Sequence, residues 1–243
     1  MQHWFKAWFN SPYYHRLYKH RTEEEAKQFV DALVTTLQWK PSFTLLELAC
    51  GKGRHAQAFA QHQLDVTGID LAEDSILYAK QWEKDNLHFY VHDMRQIFRT
   101  NYYDVVTNMF TSFGYFDSAH ENQLAAKTIY LALKPGGMFL MDFVNQQYAF
   151  DQIAQHPNHQ VMDEGVQFDI TKSIEGKRVL KEIAITEGSH KEVHTEELET
   201  FSFQEMKELF TETGLHFRKA FGSYTLEDYQ EGSSQRMILL FEK

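Results

Sequence analysis

The stretch that most restricts the fold of this chain is Phe43-Thr44-Leu45-Leu46-Glu47-Leu48-Ala49-Cys50-Gly51-Lys52-Gly53-Arg54-His55. An apolar run carries a carboxylate, Glu47, and then enters a turn built on Gly51 and Gly53. Glycine has no Cβ, so both positions allow backbone conformations closed to other residues and let a ligand approach the chain. The residues that follow, 55–63, read as a helix starting near Arg54, whose first backbone N–H groups point back at the turn. Strand, tight glycine turn and helix form a nucleotide-binding corner of an open α/β sheet.

The nucleotide is restricted by what precedes the glycines. Gly51-Lys52-Gly53-Arg54-His55-Ala56 fits the dinucleotide pattern G-x-G-x-x-[GA]. Glu47, four residues before Gly51, argues against a pyrophosphate there, because like charges repel. The arrangement suits an adenosine ligand with a positive charge and no phosphate, such as S-adenosyl-L-methionine. A second strand candidate, 66–70, ends in Asp70, whose carboxylate can accept hydrogen bonds from both ribose hydroxyls. A third, 87–91, is followed by His92-Asp93-Met94, where Asp93 can accept from the adenine amino group. A fourth runs over 103–109, and Leu133-Lys134-Pro135-Gly136-Gly137 reads as a turn into a fifth, 138–143.

In this order and spacing, residues 45–143 resemble the class I S-adenosylmethionine-dependent methyltransferases. The resemblance implies an α/β, Rossmann-like, seven-stranded and mostly parallel sheet with an antiparallel last strand. It implies cofactor contacts at Glu47, Ala49, Gly51 and Gly53, at Asp70 and Leu71, at Asp93 and Met94, and at Asn108 and Met109. The segment Met109-Phe110-Thr111-Ser112-Phe113-Gly114-Tyr115 and the aromatic amino terminus are similar to the small-molecule N-methyltransferases acting on amino sugars and glycine-type amines. In such enzymes a tyrosine of the amino-terminal segment closes over the methionine end of the cofactor. Tyr18 and Arg21 occupy the part that resembles it, with Arg21 placed to pair with the cofactor carboxylate. The implied activity is methyl transfer to nitrogen or oxygen of a small molecule.

Composition narrows the rest. The 243 residues, 43% hydrophobic, suffice for a full core, and 24% charged residues give no signature of disorder. A net charge of −10 disfavours nucleic acid, whose phosphates call for a basic surface. No N-P-P-Y or D-P-P-Y motif follows the fourth strand, which also argues against a base-modifying enzyme. A single cysteine excludes an intramolecular disulfide. No apolar run has the length of a membrane span and no secretory pattern opens the chain, so the expected location is cytoplasmic.

Aromatics crowd the amino terminus, with Trp4 and Trp8, or Phe5 and Phe9, spaced to share a helix face. They read either as a flap packed on the core or as a helical lid over the substrate. Thr22 caps a helix with Glu23, Glu24 and Glu25 in its first turn, amphipathic up to Leu37. Residues 73–82 and 121–133 are further helices. Past Phe143 the period changes to two: Val166, Phe168 and Ile170, then Val179, Ile183 and Ile185, with turns at Glu175-Gly176 and Glu187-Gly188. This antiparallel meander, over about 158–201, reads as a small sheet laid over the active-site edge. Ser202 to Gly214 reads as a capped helix, and two strands close the main sheet. The domain division is a methyltransferase domain with its lid, 1–150 and 202–243, and a β insertion, 151–201.

The side chains that perform catalysis are not identified by the sequence. Methyl transfer is an in-line displacement that mainly needs alignment. A neutral amine needs little acid–base help, whereas a hydroxyl needs a base, for which His55, Tyr115, Asp142 and Tyr148 are candidates. Phe113, Tyr115 and Phe116 either line the acceptor pocket or pack. Cys50 reads as packing. His190 and His194 fall in a strand or turn, where a spacing of four does not converge on a metal. The expected partner is a small-molecule methyl acceptor, with no metal, nucleic acid or membrane, and a homodimer is left open. The alternatives are an NAD-dependent oxidoreductase, a non-catalytic S-adenosylmethionine-binding protein, and a protein or tRNA methyltransferase.

Overall fold

Strands covered by helices on both faces are buried at nearly every position. β1 (Thr44–Leu48) and β4 (Tyr103–Asn108) have this character and lie side by side at the centre of the main sheet. The computed structural model describes residues 8–243. Trp4 and Phe5 lie outside the described residues, so of the two aromatic pairs only Trp8 and Phe9 can be followed.

The first half of the chain alternates helix and strand. α1 (Pro12–Leu17) and α2 (Glu23–Leu37) precede β1; α3 (Arg54–Gln61), β2 (Asp65–Asp70), α4 (Glu73–Ala79) and β3 (Leu87–Val91) follow it. After β4 come α5 (Ala119–Ala132), β5 (Leu133–Val144) and α6 (Gln146–Gln155). β6 (Asn158–Asp163), β7 (Val166–Glu175), β8 (Arg178–Glu187) and β9 (His190–Glu199) form the meander; α7 (Phe203–Thr211), β10 (His216–Phe221) and β11 (Arg236–Glu242) end the chain. Helix starts follow the caps: Thr22 accepts from the Glu25 N–H, and Ser118 with Glu121 and Ser202 with Glu205 form reciprocal capping boxes.

Among the described residues the main sheet has seven strands in the order β10-β11-β5-β4-β1-β2-β3. β1 to β5 pair parallel, and β11 runs antiparallel beside β5, with Met237 opposite Phe143. The strand order reverses between β1 and β4, which opens a crevice at their carboxyl ends. One face packs Phe29, Leu33 and Phe59 under α2 and α3; the other packs Ile129, Phe139 and Phe210 under α5 and α7. The expected turn at 133–137 is instead the start of β5: Leu133 already pairs with Tyr103, and the register slips before Val105 meets Met138. Gly136, at φ +76°, accommodates that slip without ending the strand.

The meander is a separate four-stranded antiparallel sheet in the order β6-β7-β8-β9. Its inner face presents Val166, Phe168, Ile170, Ile183 and Ile185 to Trp8 and Leu17. The amino-terminal aromatics therefore pack on this sheet and not on the main one. Arg16 pairs with Asp163 at 2.9 Å and with Glu187 at 3.1 Å, and Lys19 also pairs with Asp163. A backbone bond from Glu199 N–H to the Gly114 carbonyl, 2.7 Å, ties the sheet to the segment after β4. No helix among the described residues is long and apolar enough to cross a membrane.

Gly53 holds the corner by packing. It has φ +79°, and a Cβ there would stand 2.5 Å from the Phe89 ring. Gly53→Ala is expected to destabilise the fold by about 2–4 kcal/mol, from left-handed strain and overpacking combined, read as a lower urea midpoint at unchanged m-value.

Candidate active site

The carboxyl ends of β1 and β2 are joined through a carboxylate. Ala49, Gly51 and Gly53 all take left-handed backbone conformations, and the turn they make aims the Gly51 N–H at Asp70. Asp70 Oδ2 accepts from Gly51 N at 2.8 Å and Oδ1 from Ala72 N at 2.7 Å. Burial raises the Asp70 pKa, and these two amide donors oppose that rise. No atom lies within 4 Å of where a Gly51 Cβ would sit, so the turn faces open space. Glu47, 1% exposed, has Oε1 3.4 Å from His55 Nδ1, while its buried Oε2 has no hydrogen-bond partner.

A cavity of about 910 Å³ opens at this edge, large enough for two small molecules together. Ten of the twelve expected cofactor residues line it: Tyr18 and Arg21 from the amino-terminal segment, Glu47, Ala49 and Gly51 from the corner, Asp70 and Leu71 after β2, Asp93 and Met94 after β3, and Met109 after β4. Gly53 and Asn108 stand behind the wall. Gly53 is covered by the Phe89 ring, and Asn108 is fully buried with Nδ2 donating to the Leu48 carbonyl at 3.3 Å. Asp93 faces the cavity with both carboxylate oxygens accepting from Arg95, which holds its pKa below the ordinary carboxylate value against the effect of burial.

The Arg21 guanidinium is stacked between two rings, 4.0 Å from the Tyr18 centroid and 3.9 Å from that of Phe110. No ion pair to Arg21 is found among the described residues. The opposite side of this clamp is a strained loop, with Phe110 at φ 61° and Thr111 at φ 59°. Asp142 on β5 holds it: Phe110 N–H donates to Oδ2 at 2.8 Å, and Thr111 N–H donates to the Asp142 carbonyl at 2.9 Å. Arg236 completes the lock, donating to Asp142 Oδ1 and to Thr111 Oγ1, with Asp142 restoring the charge that burial disfavours.

This geometry sorts the candidate bases. Asp142 is fully buried, bound to Arg236, and not in the cavity wall, so it supports the loop and is not a base. His55, Tyr115 and Tyr148 do line the cavity. Burial pushes the Tyr115 phenol far above its ordinary pKa, and Tyr14 is pushed up to about 12, so both stay protonated. Phe116 reaches the wall, whereas Phe113 is packed in the core. Cys50 is buried in the core, and burial raises its pKa well above the ordinary thiol value. Among the described residues no group of three or more His, Cys, Asp or Glu is placed to hold a metal ion.

The sequence marks the sheet that roofs the cavity but not the polar residues on its inner face. The meander's inner face supplies Lys172, Lys181 and Glu196. The available signal was polar residues at positions of β7 and β8 whose period of two otherwise carries apolar residues; which strands face one another is not readable from that period.

Comparisons with known proteins agree with this geometry. A family profile described as a methyltransferase domain matches residues 45–137. A dTDP-3-amino-3,4,6-trideoxy-alpha-D-glucopyranose N,N-dimethyltransferase of Streptomyces venezuelae is 32% identical over 100 residues, 41% of each chain. A ubiquinone biosynthesis O-methyltransferase of Hydrogenovibrio crunogenus is 31% identical over 125 residues, 49% of this chain and 50% of that one. The matched stretches thus span about half or less of these curated relatives. An S-adenosylmethionine-dependent methyltransferase from Clostridium acetobutylicum superposes with a TM-score of 0.78 at 17% identity, covering 94% of this chain and 95% of the other. The fold expected from the sequence is borne out.

Two outcomes test the site's construction. Asp142→Asn leaves Arg236 as an uncompensated buried cation, and is expected to cost about 3–5 kcal/mol in urea unfolding. Burial, aided by Lys52, lowers the His15 pKa from 6.5 to about 4. Between those values the unfolded chain holds this proton and the folded chain does not, so stability falls as pH is lowered from 6.5 towards 4. His15→Gln is expected to flatten the urea midpoint across that interval.

Proposed function

We propose that this chain, which carries a methyltransferase domain on the class I S-adenosylmethionine-dependent fold, transfers a methyl group to nitrogen or oxygen of a small molecule held in the same cavity. The observation that carries the reading is Glu47 Oε2, a buried carboxylate oxygen without a partner at the cavity wall. Leaving such an atom without a donor is costly, and a cationic, phosphate-free ligand removes that cost. A dinucleotide brings a pyrophosphate to the same turn, where Glu47 repels it; the oxidoreductase alternative has no such support.

The remaining wall fits the same cofactor. Asp70 keeps acceptor capacity for a ribose diol after receiving the Gly51 and Ala72 amides. The open space over Gly51 admits a ligand against the backbone. Arg21, held flat between two rings, is presented to a carboxylate. S-adenosylmethionine, when bound, supplies a methyl group made electrophilic by a sulfonium. The chain's own part is alignment: the Phe110–Thr111 loop, locked by Asp142 and Arg236, fixes one side of the acceptor's approach. The protonated phenols of Tyr14 and Tyr115 line the same cavity. A neutral amine needs nothing more; for a hydroxyl acceptor, His55 and Tyr148 are the bases at hand.

The amino-sugar relative is a precedent for an amine and the ubiquinone biosynthesis relative for an oxygen acceptor, and both atoms belong to the proposal. The acidic net charge is the reason for keeping nucleic acid out of the acceptor class. We assign residues 1–150 and 202–243 to a methyltransferase domain with its amino-terminal lid, and 151–201 to a β insertion over the active-site edge.

Calorimetry tests the reading. S-adenosylhomocysteine is expected to bind and NADH is not. Asp70→Ala is expected to weaken the former by about 100-fold, the loss of two charge-assisted hydrogen bonds. Tight NADH binding without S-adenosylhomocysteine binding overturns it.

A further inference from the structure

The inner face of the antiparallel sheet changes character along its length. From one end it is apolar, with Phe168 opposite Ile185 and Ile170 opposite Ile183. One step further, Lys172 on β7 stands opposite Lys181 on β8, and Lys181 stands opposite Glu196 on β9. All three line the cavity.

Like charges directly opposite one another destabilise a sheet, and partial burial adds to the cost. Glu196 pairs with Lys181 and not with Lys172, so it cancels one of the two charges and leaves the other. Its carboxylate already accepts from Trp8 Nε1 at 2.6 Å and Tyr18 Oη at 2.9 and 3.0 Å, and stands 3.3 Å from Lys181 Nζ. Lys181 also donates to Tyr18 Oη. Lys172 is half-buried, and no ion pair to it is found among the described residues. Burial lowers the pKa of Lys172, which Glu196 partly offsets. His159 on β6 shares the wall. In a chain of net charge −10, two opposed lysines in a cavity mark a local reversal of sign.

We propose that the Lys172–Lys181 row binds an anionic group, carboxylate or phosphate, carried by the methyl acceptor away from its reacting atom. The substrate class is thereby narrowed to anion-bearing metabolites. This rests on the methyltransferase reading. The anion is not the cofactor's own carboxylate: Arg21 is presented for that one.

The test titrates inorganic phosphate and acetate, separately, into protein saturated with S-adenosylhomocysteine. Wild type, Lys172→Gln and Lys172→Arg are compared, with circular dichroism as a check on folding. One of the two anions is expected to bind wild type, and the tighter one identifies the group. Lys172→Gln is expected to weaken it by about tenfold, the loss of a charge-assisted hydrogen bond, and Lys172→Arg to retain it. S-adenosylhomocysteine affinity is expected to be equal in all three. No anion binding to the loaded wild type, or equal binding by Lys172→Gln, overturns the proposal. A loss of S-adenosylhomocysteine affinity in Lys172→Gln also overturns it, by assigning the row to the cofactor. Failure of S-adenosylhomocysteine to bind wild type sinks the methyltransferase reading instead, and the same anion titration of unloaded protein then judges the row by itself.

Discussion

A carboxylate buried at the end of a β-strand has to be met by a donor or a cation, and the carboxyl edge of this sheet carries three, Glu47 and Asp142 buried and Asp70 partly so. Each is met differently. Asp70, ending β2, receives two backbone amides, and one of them comes from a turn that exists only because Ala49, Gly51 and Gly53 take left-handed conformations. Asp142, on β5, receives Arg236 and the amide of Phe110, and so holds open a loop whose backbone is otherwise unfavourable. Glu47, within β1, keeps an oxygen with no partner in the protein. The first two build the walls of the cavity, and the third leaves a demand that a ligand can meet.

The cavity has two kinds of wall with different origins. The main sheet contributes short loops at fixed strand ends, so the corner's geometry is set by the parallel register of β1, β2 and β4. The antiparallel sheet contributes a flat face, and α1 is attached to that face by Arg16 and Lys19 through Asp163 and Glu187. Tyr18 spans the two: its ring stacks on Arg21 near the corner while its hydroxyl donates to Glu196 on β9. Moving either wall relative to the other therefore breaks a hydrogen bond or a stacked cation, which couples the roof to the corner.

Much of this was legible because it is local. The hydroxyl caps at Thr22 and Ser202, the alternation from Val166 onward and the glycine turns at 176 and 188 are short-range signals, and the elements form where they point. The proline and two glycines at 135–137 misled, because β-bulges and turns share residue preferences, and only the neighbour strand at Tyr103 decides between them. Asp142 looked like a candidate base because sequence places it at the right edge; its neutralising partner lies 94 residues away. The amino-terminal aromatics were legible as buried, but not as belonging to the second sheet, since contacts such as Trp8 with Glu196 span 188 residues. The Lys172, Lys181 and Glu196 row escaped for the same reason: cross-strand register is a property of pairing, not of any one strand.

An antiparallel ribbon turns only alternate side chains towards one neighbour. In β7 to β9 the other half of the sequence looks away from the chamber, and at the hairpin glycines Gly176 and Gly188 a Cβ would meet no atom within 4 Å. Drift in those positions and lengthening of those hairpins leave the chamber's chemistry untouched. The profile match ends at residue 137, ahead of this ribbon. Overall likeness between two such chains is therefore a poor guide to whether they share an acceptor; the comparison that discriminates weighs the inward-facing residues of these strands together with the loop after β4.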